Sequence, residues 1–243
     1  MKKIKKFLLT IAMTMALGTS AFAASGFEFL FQLAGGLGVV IPTKEAKDLK
    51  YNGGVSADAD ISAQIGYMIS VKDGFGISVL GELGYSWDMY SYSIGVVGDG
   101  SGSSGGLDVQ LKESSLLLYF HSFKLGLLPK FNIGFGGRHG LAIGIGGGVK
   151  IPIAGELMSS SGGNAITVST PLKRQDITDF FSPSVIGYMK VTFDYYLFFT
   201  DNIGMNFGLY LGGDFGLKQK ETKIGGDAFD IGLQLGFRFG PKA

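Results

Sequence analysis

Charged side chains recur in this chain at one parity within its apolar runs. Glu28, Asp60, Glu82, Asp88, Lys124, Lys150, Lys190, Asp194, Asp214, Asp230 and Arg238 all follow this pattern, as does Asp58. Carboxylates and cations gathered on one surface can line a path for a polar solute, or they can pair and seal the space between them. Counting from the turns places Glu82 level with Lys124 on neighbouring segments. Setting the last segment beside the first puts Arg238 and Glu28 both near the short-turn end, so both pairs are expected within ion-pair reach. His121-Ser122 raises a third chemistry, nucleophilic hydrolysis. Consecutive strand residues point to opposite faces, so these two are not placed to share a proton. His121 reads as a membrane-surface residue, and no enzyme is expected. Two His and no Cys leave no basis for a metal site. The glycine-rich runs lack the strand–loop–helix setting of a phosphate loop, so no cofactor is expected.

The elements that must position these charges are strands. In "AFDIGLQLGFRFG", Phe229, Ile231, Leu233, Leu235, Phe237 and Phe239 alternate with Ala228, Asp230, Gly232, Gln234, Gly236 and Arg238. A period of two means one greasy and one wet face. Seven earlier segments repeat it, beginning near Phe27, Ile61, Phe75, Leu117, Leu141, Val185 and Ile203. In the fifth, Lys150 and Glu156 are both expected on the wet face. Strand-sized alternating runs between turn signals predict an all-β chain.

The connections alternate in length. "VKDG", "GGRHG" and "TDN" are short, whereas residues 43–57, 98–112, 158–183 and 219–227 form long ones. Short turns at one end and long loops at the other are expected of an outer-membrane barrel. The wet face carries the charges, which is costly in a soluble core and natural in a polar lumen. The greasy face therefore looks out to lipid. Aromatics add two girdles, one with Phe27, Phe135 and Phe237 near the short turns and one with Tyr85, Trp87 and Phe229 near the long loops.

Residues 1–23 read as a signal peptide, with Lys2, Lys3, Lys5 and Lys6, an apolar run and a small-residue site predicting cleavage after Ala23. The domain expected is 24–243. Loss of the four lysines leaves 17 basic against 20 acidic residues, so nucleic acid is not an expected partner. No later stretch approaches the ~18 apolar residues of a membrane helix.

The run "DIGLQLGF" resembles the last-strand assembly signal of outer-membrane barrels, falling on Asp230, Gly232, Leu235 and Phe237. Here Gly240, Pro241, Lys242 and Ala243 follow the terminal aromatic Phe239. With the leader and eight alternating segments, the chain resembles the small eight-stranded barrels of the OmpA, OmpX and OmpW types, OmpW most of all. That resemblance implies an eight-stranded antiparallel transmembrane β-barrel in the outer membrane, with lipid, periplasmic chaperones and the barrel-assembly machinery as partners. It also implies a narrow channel or binding barrel for small, possibly apolar, solutes. The alternative is a structural or adhesive barrel with a plugged lumen, whose loops bind host or environmental ligands. Glycines on the lumen parity, such as Gly36, Gly126 and Gly208, either open a pore or relieve crowding. Phe180 and Phe181 in the longest loop are candidates to line the mouth, meet a partner or pack on the rim.

Overall fold

The computed structural model describes residues 25–95, 113–161 and 166–243. The expected leader, its cleavage site and the glycine-serine stretch at 98–106 lie outside the described residues. Ten strands form: β1 (Gly26–Pro42), β2 (Tyr51–Lys72), β3 (Phe75–Gly95), β4 (Glu113–Leu127), β5 (Lys130–Gly134), β6 (His139–Ser161), β7 (Ile166–Lys173), β8 (Ile186–Phe198), β9 (Ile203–Phe215) and β10 (Gly226–Phe239). Two short helices, α1 (Lys44–Asp48) and α2 (Arg174–Phe180), sit in the long connections.

All pairings are antiparallel, and the sheet closes on itself. β1 pairs with both β2 and β10, and β2 pairs with β3, which leaves no open edge in the spanning part. The ring has eight members because β5 continues β4. Leu128 and Pro129 interrupt the ladder between them, and β5 still pairs with β3 and β6. Proline has no N–H to donate, so a break falls there. Parity is kept across it: Leu127 faces out, Leu128 and Lys130 face in, and Phe131 faces out.

β7 is the extra strand. β8 partners β6 up to the pair Lys150–Ile186, and β7 takes over from Ala154 to Ser161. The wall thus rises beyond the ring within 158–183, expected only as loop. β2 likewise begins at Tyr51, inside the expected connection 43–57. The tight β2–β3 turn needs glycine at Gly74, where φ is +74°.

The sidedness is sharp. Leu233 is 68% exposed and Leu37 63%, whereas Glu28 and Gln64 are fully buried. A closed sheet with an apolar exterior and a charged interior satisfies every ladder hydrogen bond without water, which is what spanning a bilayer demands. Aromatic pairs mark the two ends: Phe29–Phe239 and Phe135–His139 near the short turns, Trp87–Tyr119 toward the long loops.

One expectation fails locally. His121 pairs with Ala154 and Ser122 with Pro152, which leaves Ile153 as a bulge. An extra residue inverts the parity beyond it. Glu156 therefore lies on the outer face with its partner Tyr119, not in the lumen, and accepts a hydrogen bond from Ser169 of β7.

Candidate functional site

The inward faces build a stack of polar clusters along the barrel axis. At the short-turn end, Arg238 Nε lies 2.8 Å from Glu28 Oε1, across the seam between β10 and β1. Ser78 donates to the same Glu28 carboxylate, Asn132 donates to Ser78 (2.8 Å), and Arg238 donates to Asn132 (3.0 Å). The guanidinium also lies 4.7 Å from the Tyr196 ring centroid.

In the middle, Lys124 Nζ pairs with Asp60 at 2.5 Å and stands 3.8 Å from Glu82. Glu82 and Lys124 come within ion-pair reach although they are offset by two residues in register, Glu82 facing Gly126 and Lys124 facing Gly84, and Asp60, two strands away, is the nearer partner. Lys130 pairs with Asp194 at 2.9 Å, and Gln234 donates to the other Asp194 oxygen. Lys190 has no carboxylate within ion-pair distance among the described residues, and its ammonium lies over the Tyr210 ring at 4.8 Å. Toward the long loops, Lys150 binds Asp88 at 2.6 Å and Asp214 at 2.8 Å, and Tyr90 donates to Asp214 at 2.7 Å. Asp230 faces Asp58 and Asp214 and is 8% exposed.

Sequence reading missed the tyrosines of the inner face. Tyr188 donates to Glu82 (2.7 Å) and Tyr210 to Asp58 (2.5 Å), each reaching across the lumen. Both share the parity of the charged residues, which was the available signal. The glycines now find their purpose. A Cβ on Gly36 would collide with the Tyr210 hydroxyl, and one on Gly126 with that of Tyr188. These two glycines make room for rings that cross the lumen. Lys130 was also missed, although parity carried through Pro129 places it inside.

Above the Lys150 triad the interior turns apolar. Tyr90, Tyr92, Leu118, Phe120, Ile177, Phe181, Ile186 and Leu217 form one buried cluster. Phe181 meets Phe120 edge-on at 6.0 Å, while its neighbour Phe180 is 62% exposed. The two candidates thus divide: Phe181 packs into the cap, and Phe180 stands at its lip. Arg174 anchors α2 by donating to the carbonyls of Pro152 (3.0 Å) and Ser184 (2.7 Å). The loops interlock: the Ser182 amide donates to Lys218, the Lys220 amide to Phe180, and the Thr43 amide to Gly225. Between them lies an apolar pocket of about 270 Å³, lined by Tyr51, Leu116, Leu157, Leu172, Phe180, Phe181 and Ile224 among others.

The chain has the architecture of a small outer-membrane β-barrel. No family model matches the sequence, and no curated protein is similar to it in sequence. Solved structures of outer-membrane proteins are similar to this chain over most of its length. The outer-membrane protease OmpT of Escherichia coli is 8% identical over 89% of this chain and 96% of its own, with a TM-score of 0.39. Neisserial surface protein A is 10% identical over 88% and 98%, with a TM-score of 0.35. Ail, the attachment invasion locus protein of Yersinia pestis, is 10% identical over 87% and 99%, with a TM-score of 0.33. The sidedness of the wall stands without these likenesses.

His121 and Ser122 fall on opposite sides of that wall. His121 Nδ1 meets the Tyr85 hydroxyl at 2.5 Å on the outer face, and Ser122 is fully buried. Of the residues that resemble an assembly signal, Asp230 and Gly232 face in, while Leu235 and Phe237 are half exposed on the outer face.

Proposed function

We propose that this protein is an outer-membrane barrel that does not conduct through its lumen and that binds a small apolar ligand in its loop layer. The observation that carries this reading is the 270 Å³ apolar pocket between α2, β7 and the β9–β10 connection, set above an interior filled by paired charges and tyrosines. Its volume lies just below the usual range of small-molecule sites, about 300–1,000 Å³, so a compact ligand suits it. Such a site matches the binding-barrel side of the sequence expectation rather than the channel side. Export by the residue 1–23 leader and delivery by periplasmic chaperones to the assembly machinery belong to the same reading.

The test uses refolded protein in lipid nanodiscs, with saturation-transfer NMR of toluene and naphthalene. Wild type gives a saturable signal, and Leu172→Asp, which places a charge on the pocket wall, abolishes it. Equal signals from the two proteins would defeat the binding reading. Steady single-channel openings in a planar bilayer would defeat the sealed lumen.

A further inference from the structure

A second hollow lies on the opposite side of the wall. Outward side chains of five consecutive strands, β6, β8, β9, β10 and β1, surround a depression of about 760 Å³ in the lipid-facing surface. Leu141, Tyr195, Phe207, Leu233 and Leu235 form its sides, and Gly35 leaves part of it bare. The inner faces beneath it carry Ala34, Ala142 and Gly208 together with the hydrogen-bonded pair Asp194 and Gln234. At the short-turn rim, Tyr195 continues into His139 (6.2 Å between rings) and Phe135 (5.9 Å). Beside them Arg138 is exposed, its guanidinium donating to the Phe199 carbonyl. The carboxylate of the neighbouring turn, Asp201, is engaged by Lys242 at 2.9 Å. A cation at the polar rim of an apolar trough complements one ligand chemistry well: a phosphate head carrying acyl chains.

We propose that this hollow seats the acyl chains of one phospholipid of the periplasmic leaflet, with Arg138 at its phosphate. The volume lies well within the range of dedicated ligand sites. The proposal is independent of the loop-layer pocket, which lies at the other end of the barrel.

Two glycines make a matched test. A Cβ on Gly35 meets only the Asp58 carbonyl at 3.6 Å, and one on Gly81 meets only the Ile65 carbonyl at 3.6 Å. Both residues face lipid, but Gly81 lies on β3, outside the five strands. Native mass spectrometry of the detergent-refolded protein with added dimyristoylphosphatidylglycerol reads retained lipid, and heat-modifiable gel mobility confirms folding. Wild type and Gly81→Phe are expected to hold one lipid at collision energies that strip the rest. Gly35→Phe is expected to lose it by at least about tenfold, equivalent to about 1.4 kcal/mol. Arg138→Gln should weaken retention of dimyristoylphosphatidylglycerol but not of dimyristoylglycerol. Equal retention by Gly35→Phe and Gly81→Phe would overturn the proposal. So would a second copy of the chain held on this face in place of lipid. An Arg138→Gln variant that retains both lipids as wild type does would overturn the phosphate assignment.

Discussion

Replacing Lys150 by Met asks whether the lumen is a packed interior or a wet passage. Lys150 is 4% exposed and is shared by Asp88 (1% exposed) at 2.6 Å and Asp214 (7%) at 2.8 Å. Met keeps most of the side-chain length and removes the charge, which strands two carboxylates around one site. Deleting one partner of a buried pair costs about 3–5 kcal/mol, because the charge left behind is uncompensated. With two carboxylates stranded, the upper end of that range is expected. In a hydrated passage the same pairs would be screened, and the loss would be about 0.2–1 kcal/mol. The assay is reversible urea unfolding in lipid vesicles, followed by the emission of the single tryptophan, Trp87. A triple variant, Lys150→Met with Asp88→Asn and Asp214→Asn, removes the stranded charges and should recover most of the loss. A single-variant effect below about 1 kcal/mol would refute the packed interior. Failure of the triple variant to recover would show that packing, not charge, set the cost.

Other expectations follow from the same geometry. Gly126→Val should cost about 1–3 kcal/mol, because its side chain would enter the space of the Tyr188 hydroxyl; thermal unfolding reads it, and adding Tyr188→Ala should restore part of the loss. Lys242→Ala should leave the urea midpoint where it is in wild type, since its partner Asp201 is almost wholly in solvent. The Lys242 ammonium holds the Asp201 carboxyl below its ordinary range, so the pair's small contribution is present at neutral pH and fades as pH falls through the folded value. Deleting Ile153 should remove the bulge and leave Glu156 on the outer face opposite Tyr119, so the protease digestion pattern within 158–183 should match wild type; increased cleavage there would count against Ile153 as the extra residue.

The barrel was legible because a strand's side chains have a period of two and the charged residues hold one parity through most runs. Placement of Glu28, Asp60, Glu82, Lys124, Lys150, Lys190 and Arg238 inside follows from that alone. Parity failed at Ile153, where Pro152, unable to donate to a ladder, was the local sign of a bulge in the run "VKIPIAGEL", and Glu156 was carried to the wrong side. Pairing was only partly legible. Level counting finds neighbours such as Glu28 and Arg238, but the lumen is narrow enough for Lys124 to reach past β3 to Asp60. Reach across a lumen depends on barrel cross-section, which no local pattern encodes. The role of the lumen glycines was undecidable for the same reason: a missing side chain makes a gap or a berth according to what stands opposite, here Tyr188 and Tyr210. Phe180 and Phe181 are adjacent and chemically alike, and only the end of α2 separates their fates.

The seam between the first and last strands has a kinetic consequence. β1 and β10 pair along fourteen residues, from Phe29–Phe239 to Pro42–Gly226, and the Glu28–Arg238 pair clasps their short-turn end. These strands are nearly the whole described chain apart, so this contact can form only once every intervening hairpin is in place. Closure is then late and slow, as expected for pairing at such separation. Reopening must strip ladder hydrogen bonds in hydrocarbon and expose an ion pair that has no water to receive it. A barrel built this way owes its lifetime to a high escape barrier as much as to its depth of well, and would persist long after conditions ceased to favour the fold.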